Sequence, residues 1–299
     1  MKKSYILIIL LSVLIIAILI YAGIKFKTKN ETDKNNSNID IYEQENSNNT
    51  NTDENIPPSE NKVDEVVEEI KPKEVSATVP IFMYHFVTDE KVKATDIENY
   101  LTAKKLEEQF KYIVENSYET IYVSELENVY KYEKPVAITI DDGFLFYDTT
   151  FQLLKKYKLK ATLNVIVNYI NGPEFLTLEQ LQEIKESGLV EIQSHTLSHR
   201  KLASLKVNEI NLELEDSKKY LKEKLDIDST VLCYPIGSYN QNVIKKAKEL
   251  YKYALKMDGG LYNSDKNNNY EIPRIYVNRS MSMTAFASYL KRAKVDVVW

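Results

Sequence analysis

From Thr78 onward, short apolar runs alternate with amphipathic stretches, and this alternation restricts the fold of the 299-residue chain more than any other feature. The runs PIFMY (80–84), TIYV (120–123), VAITI (136–140), ATLNVIV (161–167), VEIQ (190–193), VLCY (231–234) and YALK (253–256) have the length and composition of strands. Between them the spacing predicts helices over 103–115, 150–157, 178–187, 207–225 and 241–251. Thr102 is placed to cap the first, Thr177 and Gln180 make a capping box at the third, and Gly188 suits the left-handed residue that stops it. VAITI is apolar apart from Thr139, as a strand covered on both faces requires. Strand and helix in such order imply parallel βα units. The fold class is therefore α/β, a barrel or layered sheet whose active groups sit where strands end.

The first 77 residues read differently. After a short tail (1–4), residues 5–24 run YILIILLSVLIIAILIYAGI without a charge, about the 20 residues that a bilayer-spanning helix needs. The run exceeds the apolar region of a signal peptide and no A-x-A site follows it, so it reads as an uncleaved signal anchor. Residues 25–77 are rich in Asn, Glu, Asp, Ser and Thr, a composition that cannot offset chain entropy and predicts a disordered linker, with a weak helix between 62 and 70. Residues 78–299 are expected to form the one folded domain, for which 22 Tyr, 9 Phe and a 43% apolar share supply the core. A net charge of −5 offers no broad basic field, which argues against nucleic acid as a partner. Protein partners cannot be read from it.

Two short motifs can carry chemistry. Asp141, Asp142 and Gly143 follow VAITI without a spacer, placing two carboxylates at the mouth of a buried strand. A D-D-G tripeptide is also an ordinary turn. Adjacent positions of an extended chain point opposite ways, so one carboxylate can bind a metal while the other remains free as a base. The second motif, Ser194-His195-Thr196-Leu197-Ser198-His199, puts two imidazoles four apart after another strand. On a helical turn such a pair shares a face and reaches one ion. Only three histidines exist, and Cys233 is the single cysteine, which excludes a multi-cysteine zinc site. Two histidines and a carboxylate are a known metal set with open positions.

Together, T-I-D-D-G (139–143) and S-H-T-L-S-H (194–199) resemble the first two motifs of the polysaccharide deacetylases with a NodB homology domain. The resemblance implies a distorted (β/α) barrel, with Asp141 as catalytic base and Asp142, His195 and His199 holding a divalent ion, zinc first, with cobalt, nickel or iron(II) as alternatives. It also implies an oxyanion donor in the backbone N–H of Ile236, in the stretch Cys233-Tyr234-Pro235-Ile236-Gly237. Two departures stand out: Cys233 replaces the arginine that normally steadies the base, and no histidine follows His199 to serve as the late catalytic acid. These departures, with Met83-Tyr84-His85, Y-P-x-G-x-Y-N (234–240) and P-R-I-x-V (273–277), resemble the poly-β-1,6-N-acetylglucosamine deacetylases. In that branch His85 would replace the missing acid and Arg274 the missing arginine.

The implied activity is N-deacetylation of an extracellular N-acetylglucosamine polymer, of biofilm type. The alternatives are the same reaction on peptidoglycan or chitooligosaccharides, O-acetyl ester hydrolysis, or an inactive carbohydrate-binding domain. The expected location is the cell membrane, single-pass through the N-terminal helix, with the catalytic domain outside.

Overall fold

The computed structural model describes residues 71–88, 99–257 and 259–299. Its strands are β1 (Glu74–Val79), β2 (Ile81–Tyr84), β3 (Phe86–Val87), β4 (Tyr100–Leu101), β5 (Glu119–Ile121), β6 (Pro135–Asp142), β7 (Ala161–Val165), β8 (Val190–Ser194), β9 (Val231–Cys233), β10 (Tyr253–Leu255), β11 (Tyr262–Asn263), β12 (Ile275–Tyr276) and β13 (Lys294–Val298). The helices are α1 (Ala103–Glu115), α2 (Gln152–Tyr157), α3 (Leu178–Glu186), α4 (Val207–Leu225), α5 (Gln241–Leu250) and α6 (Met283–Leu290).

The central sheet is parallel, in the order β10-β9-β8-β7-β6-β2-β12, with β5 also paired to β6. It curls into a half-barrel, the form that the expected distorted (β/α) barrel takes here. Its two edges are joined by the segment after β11: Ile272 bridges to Leu255 of β10, while Ile275 and Tyr276 pair with Phe82 and Met83 of β2. Arg274 lies between these contacts, and so is carried across the gap in the sheet. Between β8 and β9 the ladder is thin, and the Gln193 carboxamide oxygen accepts from the amides of Thr230 and Val231, each at 2.9 Å.

Residue alternation sorts the core. Phe82, Ile138, Ile140 and Leu163 join the helices' apolar residues in one buried cluster, while Ile81, Ala137, Cys233 and Leu255 belong to another. Both faces of β2, β6 and β7 are covered, which accounts for their continuous apolar runs. Local signals set the helix ends. Thr102 accepts from the Lys105 amide, and Thr177 and Gln180 bond reciprocally at 3.2 and 3.0 Å. Gly188 takes φ 64°, as its position after α3 predicts.

Three outcomes differ from the sequence reading. The helix expected from 150 begins as a π-helical turn over Phe146–Phe151 before α2. β1 starts at Glu74, inside the polar stretch 25–77, because it pairs antiparallel with β13 in a register that opposes Glu74 to Val298. No local pattern reveals a partner so distant in the chain. The third concerns the membrane. Among the described residues no helix is long and apolar enough to cross a bilayer. The single-pass placement and the membrane contact, and with them the extracellular assignment, which was inferred mainly from the implied function, are therefore corrected: the structure gives them no support. Residues 5–24, from which the span was read, the rest of 25–70 and the weak helix between 62 and 70 lie outside the described residues.

Phe286 of α6 is fully buried with its ring centroid 4.5 Å from that of Phe82. Phe286→Ala is expected to cost about 3–5 kcal/mol in chemical denaturation, and Thr177→Ala about 1 kcal/mol through loss of its cap.

Candidate active site

β6 delivers both aspartates to one end of the sheet, where they separate. Asp141 is 3% exposed and faces the sheet interior. The chain then turns through left-handed backbone at Asp142 (φ 70°) and Gly143 (φ 79°), with the Gly143 amide on the Asp141 carbonyl at 2.9 Å. This turn gives the Asp142 carboxylate a different neighbourhood from that of Asp141.

Asp141 is bound on both oxygens by Arg274, Nη1 to Oδ1 and Nη2 to Oδ2, each at 2.8 Å. Asn164 Nδ2 adds a third bond to Oδ1 at 2.8 Å. Arg274 is itself fixed by Nε on the Lys256 carbonyl at 3.0 Å and by Nη1 on Thr139 Oγ1 at 3.0 Å. Burial alone would raise the Asp141 carboxyl's pKa, but the Arg274 guanidinium, with smaller help from His195, holds it far below the ordinary range. Asp141 is thus an ionised carboxylate in a nearly dry place. Cys233 explains how Arg274 fits: its Sγ lies 3.1 Å from Nη2 and 3.4 Å from Asp141 Oδ2, and its small side chain leaves room for the guanidinium.

Asp142 Oδ1 lies 3.4 Å from His195 Nε2 and 3.6 Å from His199 Nε2. Each of the three residues offers a ligand atom within 4.8 Å of the others'. The histidines do not sit on a helical turn. His195 directly follows β8, and the chain reaches His199 through a bent loop with left-handed backbone at Thr196 (φ 67°) and His199 (φ 60°). That geometry is tied down at each step. The His195 amide bonds the Val165 carbonyl at 2.9 Å, and its Nδ1 meets the Cys233 carbonyl at 2.9 Å. A carbonyl can only accept, so Nδ1 carries a proton, which leaves Nε2 as the nitrogen that could ligate a cation beside Asp142. The His199 amide bonds Thr196 Oγ1 at 3.1 Å. Buried Glu213 of α4 accepts from the Ser198 amide at 2.9 Å and from the Ser198 hydroxyl, while its own carbonyl takes the Leu197 amide.

The donor set suits a divalent cation. Asp142 Oδ1 is buried and has no hydrogen-bond partner, although two imidazole nitrogens approach it. A cation would satisfy all three atoms. A second cluster, Asp141, His195 and Cys233, is also close together. There Arg274 already occupies both Asp141 oxygens and its charge would repel a metal.

The remaining sequence candidates line the same pocket, a cavity of about 180 Å³ bounded by His85, Asp141, Asp142, His195, His199 and Ile236, among others. His85 has a buried Nδ1 without a partner, and the Tyr276 ring stands edge-on to it at 5.9 Å. Burial lowers the pKa of His85, an effect that the nearby Asp141 and Asp142 charges oppose. Ile236 takes φ 56° within the short turn Pro235–Gly237. As the second residue of that turn its amide has no acceptor inside it, since the first bond runs from Gly237 to Tyr234.

Asn164 and Glu213 escape the sequence reading. Asn164 had a signal, a lone carboxamide inside the buried run ATLNVIV, and β7 registers it directly opposite Asp141. Glu213 had none, because its partner lies on another element. If Glu213 holds the histidine loop, Glu213→Ala should weaken zinc binding by about 10–100-fold in calorimetric titration, the range for groups that orient metal ligands.

Known proteins resemble this chain in sequence and in fold. A family profile described as polysaccharide deacetylase matches residues 128–254. A Bacillus subtilis protein named as a polysaccharide deacetylase, YxkH, is 31% identical over 228 residues, covering 74% of this chain and 79% of that one. The poly-β-1,6-N-acetyl-D-glucosamine N-deacetylase of Staphylococcus aureus strain MRSA252 is 28% identical over 235 residues, 71% of this chain and 76% of that one. Among solved structures, the Streptococcus pyogenes deacetylase PplD in complex with acetate superposes with a TM-score of 0.67 at 27% identity, covering 74% of this chain and 99% of that one. With the B. subtilis relative 31% identical and aligned over most of its length, and with a fold shared with a solved deacetylase, this chain belongs to the polysaccharide deacetylase family, as a hydrolase.

Proposed function

We propose that residues 78–299 form a metal-dependent N-deacetylase domain acting on an N-acetylglucosamine polymer, with the β-1,6-linked polymer as the substrate. One observation carries the reading: an ionised carboxylate clamped by Arg274 and an unpartnered carboxylate facing two imidazoles open on one pocket. The linkage rests on the S. aureus relative and on the M-Y-H, Y-P-x-G-x-Y-N and P-R-I-x-V stretches.

Asp142, His195 and His199 are the proposed ligands, and zinc suits two imidazoles and a carboxylate. A divalent cation held there supplies Lewis acidity toward the acetamide carbonyl and toward the attacking water. Asp141 takes the proton as the water oxygen bonds the carbonyl carbon. Its clamp fixes the carboxylate's direction and keeps it free of a proton beforehand. The Ile236 amide stabilises the oxyanion that forms. His85 protonates the nitrogen as the C–N bond breaks, releasing acetate and a free amine.

Acetate release from β-1,6- and β-1,4-linked N-acetylglucosamine oligomers, with and without chelator, tests the reading. The expected result is chelator-sensitive release, faster on the β-1,6 series; preference for β-1,4 oligomers or for O-acetyl esters would reassign the substrate. Asp141→Asn should retain zinc and lose activity by about 10²–10⁴-fold, the worth of a general base. Asp142→Ala and His195→Ala should lose zinc and activity together. Normal turnover by His85→Ala would remove it as the acid.

A further inference from the structure

The interior strand β7 carries one residue that its own packing argues against. Every residue of Ala161–Val165 is buried, and Asn164 is 0% exposed. A strand covered on both faces is best filled by apolar side chains, because a buried carboxamide needs partners for its oxygen and its nitrogen alike. The other polar residue of the strand finds them: Thr162 Oγ1 accepts from the Val123 amide at 3.1 Å and donates to Glu191 at 2.6 Å. Asn164 does not. Its Nδ2 bonds Asp141 Oδ1 at 2.8 Å, while its own Oδ1 is buried with no hydrogen-bond partner among the described residues.

Strand register accounts for the asymmetry. Asn164 lies opposite Asp141 of β6 on one side and opposite Gln193 of β8 on the other. The Gln193 carboxamide is already engaged, its oxygen by the Thr230 and Val231 amides and its nitrogen by Glu191 at 3.0 Å. Turning the Asn164 amide over would set its oxygen against the ionised Asp141 carboxylate, which only accepts. An orphan buried acceptor destabilises a fold, so a residue that leaves one is explained by something other than stability. What Asn164 supplies is a further bond on Asp141. Arg274 grips that carboxylate from the segment between β11 and β12, and Asn164 grips it from β7 alongside, so two separate elements set its direction.

We propose, resting on the deacetylase reading above, that Asn164 is a positioning residue for the reaction, holding the Asp141 carboxylate in the direction from which it takes the proton of the attacking water. Asn164 stands behind the pocket, whose wall is formed by His85, Asp141, Asp142, His195 and His199 among others. Its side chain acts through Asp141. Replacing it by an apolar residue has two effects of opposite sign: the base loses part of its alignment, and the fold loses an orphan acceptor. Activity therefore falls where stability does not.

The test uses Asn164→Leu in the full chain, which keeps the branching of the side chain without its polar atoms. Three quantities are measured against wild type: kcat and KM for acetate release from N-acetylglucosamine oligomers, zinc affinity by calorimetric titration, and the urea midpoint. The expected result is a kcat lowered about 10–100-fold, the scale on which a small misplacement of a reacting group acts. KM and zinc affinity should match wild type, and the urea midpoint should not fall. Asn164→Ala, which adds no bulk, should show the same split of kcat against KM and decides the matter if the leucine variant does not fold. An unchanged kcat overturns the proposal. A midpoint or zinc affinity that falls in step with kcat makes Asn164 a structural residue, and a loss confined to KM makes it a substrate contact; either overturns the proposal too, while leaving the deacetylase standing. No acetate from wild-type protein on any oligomer would defeat the deacetylase reading itself, and the role of Asn164 with it.

Discussion

The buried pair of Asp141 and Arg274 is the interaction around which the rest is arranged. The two side chains are 3% and 1% exposed and meet through two parallel bonds of 2.8 Å. Removing one partner of such a pair costs about 3–5 kcal/mol, because the other charge is left uncompensated. The pair also ties the strand that carries the aspartates to the segment that joins the two edges of the half-barrel. Closing the fold and fixing the carboxylate are therefore one event.

Around this pair the backbone is strained. Asp142, Thr196, His199 and Ile236 all have left-handed backbone, although none is glycine. Each such residue costs on the order of 1–3 kcal/mol and persists only where its surroundings over-determine it. The surroundings are visible: Glu213 on Ser198, Thr196 Oγ1 on the His199 amide, and the Cys233 carbonyl on His195 Nδ1. Strain at these points aims Asp142 and both imidazoles at a common centre.

Much of the architecture was legible because it is encoded locally. Strand runs covered on both faces, the cap at Thr102 and the box at Thr177 each act within a few residues, and the structure has them where the pattern put them. What escaped depends on distant partners. β1 needs β13, and α6 needs Phe82. The membrane placement failed for a related reason: it was drawn from residues 5–24 alone, and nothing among the described residues bears it out.

The sequence by itself determined the chemistry on offer: two adjacent carboxylates at a strand end, two histidines four apart after another, and Arg274 late in the chain while the usual arginine position holds Cys233. Those are properties of residue type and spacing, which period and neighbour fix. Tertiary structure alone decided which carboxylate meets which partner. The Asp142 turn, the bent histidine loop and the placement of Arg274 arise from contacts among β2, β6, β8, β10 and α4, elements separated by many residues. No local pattern carries such distances, because they exist only once the sheet has curled.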